Sequence, residues 1–492
     1  MQIIWGDTLQ ERAIDQWTRE IPIIASRGKI TDCNGVVLAN NDDTYTVFVR
    51  KKAVDNLERT VQSISEILDI EYSTVYDRLT RTYSSEVTIK KQVDKTKINE
   101  LLSKNLSGVY YSRDNSRVYP YNQLLSSVIG FTSNDGKGQS GLELYYDKYM
   151  SGVNGEILYE TDIVGVEVDN GKATYLPAID GLNIRLTIDY EIQQLCEVVT
   201  EEAMQVNGAK SAQVIVIDPN TGAIKAMSTR PSYNLNDIDR SDVNLLFSLS
   251  RNGLISDMYE PGSTFKIITA IANIQEYLNG NPKAYSPEHI FSSARYRYID
   301  GQRVKCWNNH ANGKHSNLNL QGALNNSCNP IFVDIAYSLG KETIYKYIDM
   351  FNFGTVTGID FKGESQGMVL PVSCIQNVDL ARIAFGQTIA VTPLQLVYAT
   401  AAAVNGGDYY TPRLVSEIYD NSGNVAEIIQ PEVKRKTVDK RASEILSSML
   451  EDVVTNGSGK QAYIEGYRVA GKTGDILTTC VNLVKNLIKI YT

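Results

Sequence analysis

Alternation of polar with β-branched residues runs through residues 1 to about 181 and predicts extended strands joined by Gly-dense turns. Two such turns are Asp135-Gly136-Lys137-Gly138 and Ser151-Gly152-Val153-Asn154-Gly155. Helical periodicity interrupts this region at the polar stretch Leu9 to Arg19 and at the interval Glu58 to Thr82. A second pattern begins near Gly181, where a helix from Tyr190 to Val206 precedes a buried strand, Ala212 to Ile217. Asp218-Pro219-Asn220-Thr221-Gly222 turns the chain, and Ala223 to Met227 returns as the hairpin partner. Helical spacing dominates from Ser263 to about Ala403, so the second region reads as an antiparallel sheet with helices packed against it.

Composition narrows the picture without naming an activity. A chain of 492 residues holds two or more domains, and 42% hydrophobic with 21% charged residues is ordinary globular protein. Fifty-seven acidic against 48 basic residues give a net charge of −9, which argues against nucleic acid as a partner. The six cysteines, at 33, 196, 306, 328, 374 and 480, have no paired short spacing, so neither a zinc cluster nor a disulfide framework is legible. The cysteines read first as free thiols that pack as small hydrophobes; Cys306 and Cys328 bracket a loop-rich stretch and could pair in an oxidising compartment, which spacing does not decide. No run of 18 apolar residues and no signal-type amino terminus is written in the chain.

The chemistry lies in three short motifs taken in order: Ser263-Thr264-Phe265-Lys266, Ser327-Cys328-Asn329 and Lys472-Thr473-Gly474. Decoys exist, since Ser338-Leu339-Gly340-Lys341 repeats the first spacing, and Ser232-Tyr233-Asn234 and Ser422-Gly423-Asn424 repeat the second. Ser263 opens an apolar helical run after Glu260-Pro261-Gly262, where unpaired N–H groups favour developing negative charge. Ser338 falls at a helix end before Gly340, where the dipole has the wrong sign. Lys266 follows Ser263 by one turn and can take its proton once burial or another cation, with Lys472 the candidate, lowers its pKa. Ser327 and Asn329 sit in a tight connection between helices, suited to proton relay and to holding a peptide group. Lys472, Thr473 and Gly474 end a strand whose small residues leave room for an extended peptide, with Lys472 and Thr473 facing a carboxylate.

This set resembles the penicillin-binding protein transpeptidases, and further boxes narrow it to class B. Arg27-Gly28-Lys29-Ile30-Thr31-Asp32 with Asn34-Gly35 and Leu38-Ala39 is similar to the first box of that family's pedestal, with Cys33 where Arg is usual. Arg117-Val118-Tyr119-Pro120, Gly130, and Gly138 with Gly141-Leu142-Glu143 are similar to its later boxes. Phe353-Gly354, Thr357-Gly358, Glu364, Phe385-Gly386-Gln387 and Thr392-Pro393-Leu394-Gln395 resemble the transpeptidase domain. The resemblance covers residues 5 to 474, and the pedestal spacing is most like the division or sporulation branch.

The resemblance implies an α+β chain. Residues 1–181 form a mostly-β, dimerisation-type pedestal, residues 182–474 a transpeptidase domain with an antiparallel sheet flanked by helices, and residues 475–492 a tail outside the family pattern. It implies a D,D-transpeptidase acting on peptidoglycan stem peptides and acylated by β-lactams, with no cofactor and no metal. Ser263 is the implied nucleophile, Lys266 the base, Ser327 the relay and Asn329 the substrate holder, with Lys472, Thr473 and Gly474 lining the substrate strand. The implied location is the outer face of the cell membrane, beside a membrane-embedded glycan polymerase and division or sporulation proteins.

Two departures from the family are expected to matter. Asp475 stands where a small hydroxyl residue is usual, and a carboxylate ~4 Å from a substrate carboxylate repels it by up to ~4 kcal/mol at an effective dielectric of about 20. Only 18 residues follow Gly474, so the sheet reads as incomplete at its C-terminal end, with the Lys472-Thr473-Gly474 strand lacking a neighbour. These features suggest a frameshifted end, and the membrane helix that family members carry before the segment resembling Trp5 to Pro22 suggests a start placed late. They leave an inactive fragment that keeps the pedestal as the alternative to the enzyme, and a serine β-lactamase or penicillin sensor as a more distant one.

Overall fold

The structure is a computed structural model that describes residues 18–160, 174–292, 294–308, 315–477 and 483–491. It divides into two compact units. The first holds the chain up to Leu186 together with Ser232–Leu246 and Val415–Ile428, and the second holds Thr187–Pro231, Phe247–Leu414 and the chain from Ile429. A single cut near residue 181 does not describe this interleaving, because strand Val415–Tyr419 returns to pair antiparallel with Asn183–Leu186. Pairing over so long a separation leaves no local signature in the sequence.

The first unit is organised by strand Val37–Arg50, which pairs with Glu86–Val93 and along ten residues with Val109–Val118. It belongs to a seven-stranded sheet that also includes Ile30–Thr31, Asn183–Leu186, Val415–Tyr419 and Val425–Ile428. The helical interval expected from Glu58 to Thr82 is two helices, Leu57–Leu68 and Tyr72–Arg81. Asp69 breaks them by turning left-handed at φ 52°, with its carboxylate 2.6 Å from Lys97. Val61, Ile64, Leu68, Val75 and Leu79 from these helices close over Val47, Val49, Val87 and Ile89 of the strands. With a further helix at Lys95–Ser103, the unit is more helical than period-two alternation suggests. The helical reading of Leu9 to Arg19 lies outside the described residues except at Thr18 and Arg19, which begin strand Thr18–Ile23.

Three boxes far apart in the sequence meet in this unit at one buried carboxylate. Glu143 receives Arg27 Nε at 2.6 Å and Arg117 Nε at 2.7 Å, with the Tyr119 hydroxyl at 3.4 Å. Arg27 also donates to Asp147 at 2.7 Å and to the carbonyls of Gly136 and Glu143. Burial alone would lower the Arg27 pKa, but Glu143 and Asp147 hold it above its ordinary value. Burial would raise Asp147, yet the Gly138 N–H and Arg27 keep its carboxyl below the usual range.

The second unit begins with Asp189, whose carboxylate caps helix Tyr190–Asn207 by accepting from the N–H groups of Glu191 and Ile192. This helix lies on the hairpin Ala212–Ile217 and Ile224–Arg230, where the Gln193 amide exchanges hydrogen bonds with the backbone of Met227. The first of these strands was expected to be buried and is half-buried along its whole length. Among the described residues only Ile224–Arg230 runs beside it as a named strand, so one edge has no strand partner. The core of the unit is helix Lys266–Leu278, buried through most of its turns and packed by Asn329–Leu339, Lys341–Met350, Pro393–Val404 and Lys440–Thr455.

Strand Val469–Leu477 does have a neighbour. It pairs antiparallel with Leu483–Tyr491, from Val469 opposite Tyr491 to Leu477 opposite Leu483. The tail is rich in Leu, Val, Ile and Lys, and a short connection lets it fold back as a hairpin. The side chains from Asp475 onward, including the carboxylate flagged above, lie outside those described. Among the described residues, no helix is long and apolar enough to cross a membrane.

Candidate active site

Ser263 sits in a 3-10 turn, Gly262–Phe265, that runs directly into helix Lys266–Leu278. The turn is held from several sides. The Gly262 N–H donates to the Gly386 carbonyl at 2.9 Å, Thr264 Oγ1 donates to the Pro261 carbonyl at 2.5 Å, and buried Phe265 meets Phe353 with ring centres 5.4 Å apart. Gly386 must lack a side chain, since a Cβ there would stand 2.2 Å from the Gly262 carbonyl oxygen. The boxes read around residues 353–395 are thus scaffolding. Glu364 accepts from the N–H groups of Thr357 and Gly358, and Gln395 caps Thr392 and donates to the carbonyls of Thr355 and Gln366.

The helix carries Lys266 inward, where its side chain is fully buried. Its Nζ lies 3.1 Å from Ser263 Oγ, 2.8 Å from the Ser327 carbonyl, 3.1 Å from Ser327 Oγ and 2.6 Å from Asn329 Oδ1. The Phe332 ring lies 5.4 Å away. Burial pushes the Lys266 pKa down to about 7, against a partial upward pull from Cys306 and Cys328. Burial is therefore the main cause of the lowering that lets this lysine take a proton from Ser263.

Ser327 occupies a turn between helices Leu320–Asn325 and Asn329–Leu339 and adopts a left-handed backbone at φ 51°. Such a conformation is uncommon for a residue other than Gly, Asn or Asp and persists where its surroundings enforce it. Part of that enforcement comes from Trp307, whose indole N–H donates to the carbonyls of Asn326 at 3.2 Å and Ser327 at 3.1 Å. Trp307 is 64% exposed beside the serine, and no sequence motif pointed to it. An aromatic residue in a loop-rich stretch was the one signal available.

The strand brings Lys472 to the same place. Its side chain is buried, and Nζ donates to Ser327 Oγ at 3.0 Å and to the Thr473 carbonyl at 2.8 Å. Thr473 Oγ1 lies 3.2 Å from Ser458 Oγ, in a half-buried position. Gly474 lies against the Ser263 turn, where a Cβ would stand 2.9 Å from Thr264 Cγ2 and 3.2 Å from the Thr264 nitrogen.

Ser263, Lys266, Ser327, Asn329 and Lys472 thus form one hydrogen-bonded cluster, flanked by Thr473 and Gly474. The decoys are not members of it. Ser338 lies at the end of helix Asn329–Leu339 and donates to the Lys283 carbonyl, while Ser232 and Ser422 belong to the first unit. Among the described residues no disulfide forms, and Cys306 and Cys328 are buried thiols.

Residues 212–476 match the Penicillin binding protein transpeptidase domain, and residues 22–186 match the Penicillin-binding Protein dimerisation domain. Stage V sporulation protein D of Bacillus subtilis is 36% identical over 96% of this chain and 72% of its own length. Peptidoglycan D,D-transpeptidase FtsI of Escherichia coli K12 is 26% identical over 96% of this chain and 77% of its own. The crystal structure of penicillin binding protein 2X from Streptococcus thermophilus shares the fold with a TM-score of 0.76 at 23% identity, covering 96% of this chain and 74% of that one.

Proposed function

This chain belongs to the penicillin-binding protein transpeptidases, enzymes of peptidoglycan synthesis, and we propose that Ser263 carries its acyl-transfer chemistry. The observation that carries the reading is the contact of the fully buried Lys266 Nζ with the Oγ of half-buried Ser263 at 3.1 Å. A neutral amine has two N–H bonds and one lone pair. The carbonyl of Ser327 and the amide oxygen of Asn329 take the two N–H bonds, which leaves the lone pair to accept the Ser263 proton.

Ser263 Oγ then attacks the carbonyl between the two terminal D-alanines of a stem peptide. The backbone N–H groups of Ser263 and Asp475 steady the oxyanion. Ser327, hydrogen-bonded to both lysines, returns the proton to the leaving nitrogen as the C–N bond breaks and D-alanine departs. An amine of a second stem attacks the ester, forms the cross-link and restores the serine. Asn329 holds the peptide group, while Thr473, supported by the charge of Lys472, binds the terminal carboxylate. A β-lactam acylates the same oxygen.

By its resemblance to class B proteins, the chain works at the outer face of the membrane beside a glycan polymerase, in division or sporulation. Incubation with a stem peptide ending in D-Ala-D-Ala and an acceptor amine tests the chemistry. The expected result is equimolar D-alanine and cross-linked dimer, both absent in Ser263→Ala. Release of D-alanine by Ser263→Ala at the wild-type rate overturns the assignment.

A further inference from the structure

Beside the turn that carries Ser327, three soft donor groups converge. The sulfur atoms of Cys306 and Cys328 and a ring nitrogen of His315 all lie within 4.8 Å of one another, and all three residues are buried. Cys306 Sγ stands 3.9 Å from His315 Nδ1. A tetrahedral zinc ion takes thiolate sulfur at about 2.3 Å and imidazole nitrogen at about 2.1 Å, which separates ligand atoms by roughly 3.6 Å. The observed triangle is already close to that size. The short spacings that betray a zinc site in sequence are missing, because the donors come from the segment after strand Gln302–Lys305, from an isolated His and from the cap of helix Asn329–Leu339.

We propose that Cys306, His315 and Cys328 bind one zinc ion. Two thiolates and an imidazole suit zinc, whereas magnesium and calcium require oxygen ligands. Binding displaces the two thiol protons, and two thiolates with a neutral imidazole balance the divalent charge. A neutral centre of this kind adds no net charge beside Lys266. A fourth ligand such as water completes the tetrahedron.

The ion would act as a clamp on the catalytic turn. The segments it joins already touch, since Trp307 donates to the Asn326 and Ser327 carbonyls and Asn329 Nδ2 donates to the Lys305 carbonyl at 3.3 Å. Bonds through Cys306 on one side and Cys328 on the other fix the left-handed Ser327 between them. Ser327 and Asn329 both hold Lys266, so the ion positions the base through its partners.

The test uses the full chain, purified under reductant, stripped by chelator and titrated with Co²⁺ as a spectroscopic probe. The expected result is one Co²⁺ per chain, with thiolate-to-cobalt charge-transfer absorption and tetrahedral d–d bands that Zn²⁺ displaces. Cys306→Ser and Cys328→Ser lose the charge-transfer band, and Cys374→Ser keeps it. His315→Gln serves as a further variant should a serine substitution unfold the protein, and it is expected to weaken Co²⁺ binding at least tenfold. Absence of the bands in folded wild-type protein, their persistence in folded Cys306→Ser, or recovery of Cys306 and Cys328 as a disulfide that excludes cobalt each overturns the proposal. The readout makes no use of acylation, so it fails or succeeds independently of the roles given to Ser263 and Lys266.

Discussion

Lys266 and Lys472 reach the same oxygen, Ser327 Oγ, at 3.1 Å and 3.0 Å, and both side chains are fully buried. Their nitrogens are therefore within about 6 Å of each other. Two ammonium ions at that distance repel by roughly 3 kcal/mol at an effective dielectric of about 20. One of the pair is better neutral, and burial already pushes Lys266 down to about 7.

The pH dependence follows with a definite sign. Protonated Lys266 has no lone pair, so acylation by a β-lactam is expected to rise as pH climbs through about 7 and to level off above it. Lys266→Arg keeps the charge and cannot lose its proton, and should acylate ~10²- to 10⁴-fold more slowly at every pH. Stopped-flow acylation rates across this range check both statements. A rate independent of pH through neutrality contradicts them.

Gly474 is the point at which the strand touches the Ser263 turn. A Cβ at 2.9 Å from Thr264 Cγ2 and 3.2 Å from the Thr264 nitrogen forces strand and turn apart. Relief to ordinary contact takes a shift of a few tenths of an ångström, and since about 1 Å costs a positioned reaction ~10²-fold, a shift of this size costs roughly threefold to fivefold. Gly474→Ala is expected to lose that much acylation rate while remaining folded, as judged by kinetics beside circular dichroism.

Ser338 offers the opposite expectation. Its hydroxyl bonds the Lys283 carbonyl at the far end of a helix, so Ser338→Ala should acylate at the wild-type rate. A loss of labelling in this variant contradicts the choice of Ser263 over its look-alike.

Glu143 ties three boxes of the first unit together through Arg27 and Arg117. Glu143→Gln leaves the buried Arg117 guanidinium without its counter-charge and Arg27 with Asp147 alone, and is expected to cost about 3–5 kcal/mol, measured by urea unfolding. Acid acts on the same cluster through Asp147, whose folded pKa lies below its unfolded value of 3.8. Its contribution is present above that value and is lost as pH falls through the lower folded pKa.

Much of the site was legible because its chemistry is written in local spacing. Ser263 and Lys266 are one turn apart, and Ser327 and Asn329 flank one residue of a helix start. Helix polarity told Ser263 from Ser338. The inward course of Lys472 onto Ser327 was not legible, because it depends on a strand placed by non-local packing. The Trp307 donor bonds and the meeting of Cys306, His315 and Cys328 were hidden for the same reason. In the fold, the alternation of residues 1–181 signalled the strands and the interval Glu58 to Thr82 the helices that close over them, but not the break at Asp69 or the further helix Lys95–Ser103. The pairing of Leu483–Tyr491 with Val469–Leu477 ran against the expectation of an unpartnered strand, because a tail of β-favouring residues needs only a short connection to become one.

The central claim is that Ser263 becomes an ester when the site meets an acyl donor. Fluorescent penicillin applied to the intact chain, followed by peptide mapping of the labelled residue, measures this directly. The account requires a long-lived adduct on the peptide containing Ser263 and none in Ser263→Ala. An unlabelled wild-type chain, an adduct that survives Ser263→Ala, or one that hydrolyses as fast as it forms would contradict it.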